Sequence, residues 1–426
     1  MRQLSSNQMP PPSQTMRGLW PTYSIIFASE FIMGMFAPML TLIFFDHSSS
    51  LFHTSSALSD RSFWYGITIM LTQICAVFAN LTLSALSDVI GRKKGLLITF
   101  TGFVFQAAAC LIALISGHLL LFIVAIAISY LTYASRPIAT AAIIDNTSID
   151  KRFLYIGLIQ LFTGTGYILG PFLSGHIANI SILSTPFSTP YLVALAIAVL
   201  FIFLILFLYK EKSPLKASHN KYTKQDILAL LKNKKILILT LLLALNQLAW
   251  GTYFLFIPVI GKNVFDFSPS DVGMVFSLIG VSLVCASVII IPIMQRLFSY
   301  KNIYLIGAIF FIAGIFLSLL SSSFPNHHLS KILFWISLFP TVSGDVVIFT
   351  MLTVLFSQSA PANFRGLING VIYTVAAGVT WGVAGIIGGL LTGLQANASL
   401  YISVFASITM LIASLTYARH FFKRSF

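Results

Sequence analysis

Three ionisable side chains, Glu30, Arg136 and Asp345, lie inside long apolar runs of the sequence. A charge in such a run is costly, and residues of this kind face protein or a water-filled cavity rather than lipid. A buried carboxyl group can take up and release a proton, while a guanidinium can stabilise a carboxylate or bind an anion. The pattern therefore indicates proton or ion chemistry within an apolar environment.

The composition predicts that this environment is a lipid bilayer. Of the 426 residues, 57% are hydrophobic and only 8% are charged, which is too few to cover the surface of a soluble protein. Apolar runs of about 20 residues recur along the chain, and each can cross a hydrocarbon core of roughly 30 Å. The predicted fold class is an all-α membrane protein.

The apolar runs predict twelve transmembrane spans in two groups of six. A basic segment with eight lysines, residues 210–235, separates the groups and predicts two pseudo-symmetric bundles around a central cavity. The predicted parts are a cytoplasmic tail (1–18), an N-terminal bundle (19–209), a cytoplasmic linker (210–235), a C-terminal bundle (236–420) and a second cytoplasmic tail (421–426). The predicted spans 1 to 12 are 19–45, 62–86, 95–116, 119–144, 153–178, 189–209, 236–260, 270–293, 302–321, 330–356, 366–392 and 398–418.

The distribution of positive charge predicts the orientation. With these spans, 21 of the 25 Lys and Arg residues fall on one side, three (Arg61, Lys262 and Lys331) on the other, and Arg136 within a span. Positive residues concentrate on the cytoplasmic side, so both termini are predicted to be cytoplasmic and the location to be the inner membrane. The same bias accounts for the net charge of +14 without nucleic-acid binding.

The three buried charges are predicted to lie at one depth. Glu30 stands 13 residues, about 20 Å, past Arg17, and Asp345 stands 13 residues, about 20 Å, before Gln358. Arg136 stands nine residues, about 14 Å, before Asp145. An apolar site favours a neutral carboxyl group and a nearby guanidinium favours the charged form, so Glu30 beside Arg136 is expected to switch protonation. A structural Glu30–Arg136 pair is the alternative. Asp345 is expected to titrate or to bind a cationic group.

Span 7 supplies candidate substrate contacts in "NQLAWGTYFLF", namely Asn246, Gln247, Trp250, Tyr253 and Phe254. A cavity for an aromatic or amphipathic substrate needs stacking surfaces and a few polar groups. Packing between helices is the alternative use of these side chains. The sequence has no nucleophile–base constellation or phosphate-binding loop. His47, His53, His327 and His328 lie in predicted external loops, where solvated histidines are commoner than metal ligands. We therefore expect no enzyme activity, no metal and no cofactor other than protons as the coupling ion.

The loop between spans 2 and 3, "SALSDVIGRKKGLL", resembles the signature of the major facilitator superfamily, Gly-x-Leu-Ala-Asp-x-x-Gly-Arg-Lys. Asp88, Gly91, Arg92 and Lys93 match it, while Ser84 and Val89 depart from it. Gly91 suits the tight turn, although an ordinary basic loop is the alternative. The resemblance implies a cytoplasmic gate formed by Asp88, Gly91, Arg92, Asp145 and Arg152.

Span 5 contains "GTGYILGPFLSG", which resembles the Gly-x-x-x-Gly-Pro-x-x-Gly-Gly motif of the drug:proton antiporters in that superfamily. Small residues four apart also let helices pack closely, which is the plainer use of this pattern. Ile126 stands where such antiporters often carry an arginine. The residues that match the motif are Gly166, Gly170, Pro171 and Gly175.

The resemblance implies that spans 1, 4, 7 and 10 line a central cavity, and three of these four carry the buried charges. The expected function is proton-coupled transport of a small amphipathic solute by alternating access, with drug-type efflux favoured and a monomer as the working unit. One alternative is uptake or export of a nutrient, organic acid or siderophore, with Arg136 as an anion clamp. Another is an uncoupled facilitator or a membrane receptor.

Overall fold

The computed structural model describes residues 16–145, 152–183, 185–211, 233–359 and 378–421. Every regular element within these residues is helical. The predicted tails and linker lie largely outside the described residues. The α-helices are α1 Met16–Phe45, α2 Leu58–Ile90, α3 Arg92–Ser116, α4 Leu119–Tyr130, α5 Ser135–Asp145, α6 Arg152–Ile177, α7 Ser188–Phe207, α8 Lys234–Phe265, α9 Pro269–Cys285, α10 Ile291–Leu297, α11 Tyr300–Ser323, α12 Ser330–Ser359, α13 Thr380–Leu394 and α14 Ser399–Phe421.

The predicted fold class is confirmed. In the described part of the chain, ten helical stretches are long and apolar enough to cross a membrane, and the shorter apolar helix α13 lies in predicted span 11. The helix α6 corresponds to predicted span 5. Apolar run length is a strong local signal, because no backbone polar group can be left without a partner in lipid.

Span 4 is not the continuous helix that the sequence predicted. It ends as α4 at Tyr130 and restarts as α5 at Ser135, with a turn between them. Pro137 favours the break, since a proline lacks an N–H for the carbonyl of Tyr133 and its ring would clash with that carbonyl. In the structure Pro137 falls in the first turn of α5, where both problems disappear.

Polar side chains of α3 hold this break in place. The hydroxyl of Thr99 donates to the carbonyl of Thr132 at 2.8 Å, and the hydroxyl of Ser129 lies 2.8 Å from Oε1 of Gln106. Gly102 leaves the space that Thr132 fills. The break is therefore a built feature that sets the positions of Tyr133 and Arg136.

Two helix pairs join the N-terminal half of the chain (α1–α7) to the C-terminal half (α8–α14). Glycines face one another in both, since a β-carbon at Gly175 would lie 2.9 Å from Cα of Gly273, and one at Gly389 would lie 3.1 Å from Cα of Gly66. These contacts join α6 to α9 and α2 to α13. Small residues allow such close approach of backbones.

Candidate functional site

Glu30 and Asp345 are both buried, each with 5% of its surface exposed, and they lie in different halves of the protein. Glu30 is on α1 and accepts a hydrogen bond at Oε1 from the hydroxyl of Tyr133 at 3.3 Å. Tyr133 lies in the break of span 4, so the break brings a neutral donor to the carboxyl group. A proton on Glu30 therefore changes a contact between α1 and span 4.

Glu30 and Arg136 do not form an ion pair. The ion pairs within 4.0 Å in the described part of the chain join other residues. Arg136 is exposed and donates from Nη2 to Oε1 of Gln160 on α6 at 3.0 Å. Its charge is close enough to act on Glu30. Among the described residues, the guanidinium thus has donors beyond the one that Gln160 uses, and the geometry does not fit a buried structural pair.

Asp345 on α12 is held by α8. Nδ2 of Asn246 donates to its Oδ1 at 2.7 Å, between two buried side chains. The other side-chain atom of Asn246, Oδ1, is buried and has no hydrogen-bond partner among the described residues. The pair therefore offers acceptors in an apolar surrounding, which suits a proton or another donor.

The remaining candidates on α8 divide between two surroundings. Tyr253 is fully buried, and its hydroxyl lies 3.1 Å from Oγ of Ser318 on α11, so it packs within the C-terminal half. Oε1 of Gln247 accepts from Nε1 of Trp381 at 3.1 Å, and the ring of Phe254 lies 5.3 Å from that of Trp381. Tyr253 thus meets α11, while Gln247 and Phe254 meet α13.

Trp381 on α13 belongs with this group, and the sequence analysis did not select it. Its indole joins α13 to α8 through Gln247 and Phe254, and Trp250 lies 5.5 Å from the ring of Phe254. Trp250 also follows Asn246 by one helical turn, which places it beside the residue that holds Asp345. Three aromatic rings and one amide therefore form a cluster between α8 and α13.

The glycine motif of α6 packs directly against the helix that carries Glu30. A β-carbon at Gly166 would lie 2.7 Å from the carbonyl oxygen of Phe27 and 3.1 Å from Cβ of Glu30. One at Gly170 would overlap the carbonyl oxygen of Phe31, and the ring of Pro171 approaches α1 at Gly34. The motif thus holds α1 in close contact at the level of the acid, while Gly175 meets α9.

The α2–α3 turn also has the form that its sequence indicates. Asp88 and Arg92 form an ion pair. Gly91 has φ of 102°, a backbone conformation that residues other than glycine rarely adopt. The sequence did not predict Glu211, whose carboxylate accepts from the backbone N–H of Arg92 at the start of α3. The side chains of Asp145 and Arg152 lie outside the described residues, so the full gate remains a prediction.

Gly91→Ala is expected to destabilise the protein by about 1–3 kcal/mol, because the substitution forces a strained backbone. A β-carbon there would also lie 2.7 Å from Oε2 of Glu211. The measurement is the thermal unfolding of purified protein in detergent. Gly157→Ala is the matched control, since a β-carbon at that position meets nothing within 4 Å. Equal melting temperatures for the two variants would contradict the prediction.

In the described part of the chain, the helices long enough to span a membrane fall in two halves, and each half holds one buried acid. The chain belongs to the Major Facilitator Superfamily, whose family model matches residues 19–385. It is a transporter and not an enzyme.

Among solved structures, the chain is similar to the nucleoside transporter NupG, with a TM-score of 0.70, 15% identity, and coverage of 96% of this chain and 100% of that one. It is also similar to a D-xylose–proton symporter, with a TM-score of 0.71, 15% identity, and coverage of 92% and 97%. At these identities the likeness shows the fold.

A curated relative matches a shorter segment. Over 117 residues, 28% of this chain, the sequence is 31% identical to the tetracycline resistance protein, class D, of Salmonella ordonez. The match spans 29% of that protein, so the chain covers less than a third of this relative's length.

Proposed function

We propose that this protein is a secondary active transporter that couples proton movement to transport of a small amphipathic solute. The observation that carries the proposal is a buried acid in each half, Glu30 beside Tyr133 and Asp345 beside Asn246. Neither acid has an ion-pair partner within 4.0 Å in the described part of the chain. A buried carboxyl group with a neutral partner can exist with or without its proton, whereas one locked to a cation stays charged.

Protonation has a direct route to helix movement in each half. Loss of the Glu30 proton strengthens its bond to Tyr133, because a charged acceptor makes the stronger hydrogen bond. Glu30 also lies against the glycine face of α6, and α6 packs on α9 of the other half. The proton thus acts where α1, span 4 and α6 meet, close to an interface that alternating access must rearrange.

We favour export of a drug-like solute from the cell. The aromatic rings of Trp250, Phe254 and Trp381 beside Gln247 suit an amphipathic solute with an aromatic part. The local match to a tetracycline resistance protein and the glycine motif of α6 support the same choice. We further propose that the transporter works as a monomer in the inner membrane, with both termini cytoplasmic.

An anionic cargo is the second candidate, and one observation favours it. Arg136 is exposed, and Gln160 occupies one of its five donor positions in the described part of the chain. A carboxylate of an organic acid or siderophore would use the remaining donors. Arg136→Ala would then abolish transport of anionic substrates and spare cationic ones. Loss of cationic transport with anionic transport retained would instead favour efflux of cationic drugs.

The test is transport by purified protein in proteoliposomes under an imposed pH gradient. Cationic drugs, organic acids and siderophores are first screened for thermal stabilisation of the protein, and stabilising compounds are then assayed. We expect accumulation against the solute gradient that a protonophore abolishes. Movement that ignores the pH gradient would identify an uncoupled facilitator, and binding without movement would identify a receptor. Either result would overturn the proposal.

A further inference from the structure

An ion pair joins the two halves at the end of the bundle that the charge distribution predicts to be external. Oδ2 of Asp46, the residue after α1, lies 2.7 Å from Nζ of Lys262 on α8. Both side chains are largely buried, with 14% and 12% of their surfaces exposed. The pair thus connects the N-terminal half to the C-terminal half directly.

Both members are held in position by their own half. Oδ1 of Asp46 accepts from the backbone N–H of Ser48 at 2.9 Å and from its hydroxyl at 2.7 Å. Nζ of Lys262 also donates to the carbonyl of Phe267 at 3.3 Å. Such prior positioning lowers the entropy lost when the pair forms, which is the usual weakness of a surface ion pair.

The same end is closed by contacts between neutral groups. The hydroxyl of Tyr65 on α2 donates to the carbonyl of Leu255 on α8 at 2.8 Å. A β-carbon at Gly389 on α13 would lie 2.5 Å from the carbonyl oxygen of Ser62 on α2. These contacts and the Asp46–Lys262 pair must all separate if this end opens.

The Asp46 carboxylate keeps its charge to a lower pH than an ordinary aspartate. Burial alone would raise the pKa of Asp46, but the hydrogen bonds from Lys262 and Ser48 outweigh it and lower the pKa below the ordinary aspartate value. The stabilisation is therefore present at and above that ordinary value, and it is lost only as the pH falls through the lowered one. Asp266 and Arg61 are the other charged groups near the pair.

We propose that Asp46 and Lys262 are positioning residues of the transport cycle, whose ion pair holds this end of the protein closed and must break each time it opens. The proposal needs alternating access and does not depend on proton coupling or on the identity of the cargo. Its failure and the failure of the proposed function are therefore separable.

The test reads the opening of this end with a reporter cysteine. Ser62→Cys places a thiol of similar size at a buried position of the α2–α13 contact, and a membrane-impermeant maleimide labels it when the end opens. The unaltered protein, with its three native cysteines, gives the background. Asp46→Asn and Lys262→Gln are each expected to raise the labelling rate about tenfold, the size of a typical coupling between two states.

Three further variants separate an ion pair that holds this end closed from a general loss of stability. Asp266→Asn is the matched control, because Asp266 lies 3.9 Å from Lys262 with 99% of its side chain exposed, and it should leave the labelling rate unchanged. The charge exchange Asp46→Lys with Lys262→Asp should restore slow labelling, and Lys262→Arg should retain it. The proposal would be overturned if Asp46→Asn and Lys262→Gln both labelled at the rate of Ser62→Cys alone. It would also be overturned if the charge exchange and Lys262→Arg both labelled fast.

Discussion

Glu30→Gln is expected to abolish pH-driven accumulation of the cargo while exchange of cargo between the two sides continues. Glutamine keeps the shape of the side chain and can still accept the hydrogen bond from Tyr133, but it cannot bind and release a proton. We expect the ratio of accumulation with and without the pH gradient to fall on the order of 100-fold. The measurement is uptake and counterflow by the same proteoliposomes.

Asp345→Asn tests the acid of the other half in the same assay. Asparagine can still accept from Nδ2 of Asn246, so the packing of α8 on α12 is retained while the titratable group is removed. We expect a loss of pH-driven accumulation similar to that of the Glu30 variant. Asp60→Asn, which alters an exposed acid at the start of α2, is the control that should behave as the unaltered protein.

The pattern across these variants decides the mechanism. Full retention of the pH drive in both single variants would remove both acids from proton coupling. Loss in one and retention in the other would assign the coupling to a single half. Loss of exchange together with the pH drive would instead place the altered acid in the cargo site.

Gly170→Ala is expected to lower the yield of folded protein and its stability by about 1–3 kcal/mol, the range for overpacking. The added β-carbon would overlap the carbonyl oxygen of Phe31 and lie 3.0 Å from the backbone N of Met35. Both obstacles are backbone atoms, so α1 and α6 would have to separate. Thermal unfolding in detergent measures the loss.

Gly382→Ala is the control for that prediction. A β-carbon at Gly382 would lie 3.8 Å from its nearest neighbours, an ordinary van der Waals distance, so this variant should melt close to the unaltered protein. If Gly170→Ala had the same melting temperature as Gly382→Ala, the contact of α6 on α1 would be looser than the structure shows. Gly170→Ala should also reduce pH-driven transport, because the same contact lies against Glu30.

The ends of the helices could be predicted closely from the sequence. The break in span 4 could also have been predicted, although it was not. Where both ends of a span are described, the observed helices differ from the predicted ones by at most five residues, because the length of an apolar run is a local property. The break in span 4 also had a local signal in Pro137, which the uninterrupted apolar run obscured. Similarly, Pro292 follows the π-helical segment Ala286–Ile290 that interrupts span 8.

The partners of the candidate site residues had no such signal. Glu30 bonds to a residue 103 positions away and Asp345 to one 99 positions away, and Glu211 reaches Arg92 across 119 positions. Helical periodicity puts Tyr253 and Gln247 on different faces of α8, but it does not say which helix each face meets. Arg136 was expected near Glu30, yet its direct bond is to Gln160.

The sequence by itself determined that the chain crosses a membrane, where its spans lie and that three charged groups stand within them. It did so because desolvation of backbone and charge is decided residue by residue along the chain. The tertiary structure alone decided that both acids have neutral partners, that the glycines of α6 lie against Glu30, and that Asp46 meets Lys262. Those contacts depend on the rotation and crossing of helices distant in sequence, which no local pattern encodes.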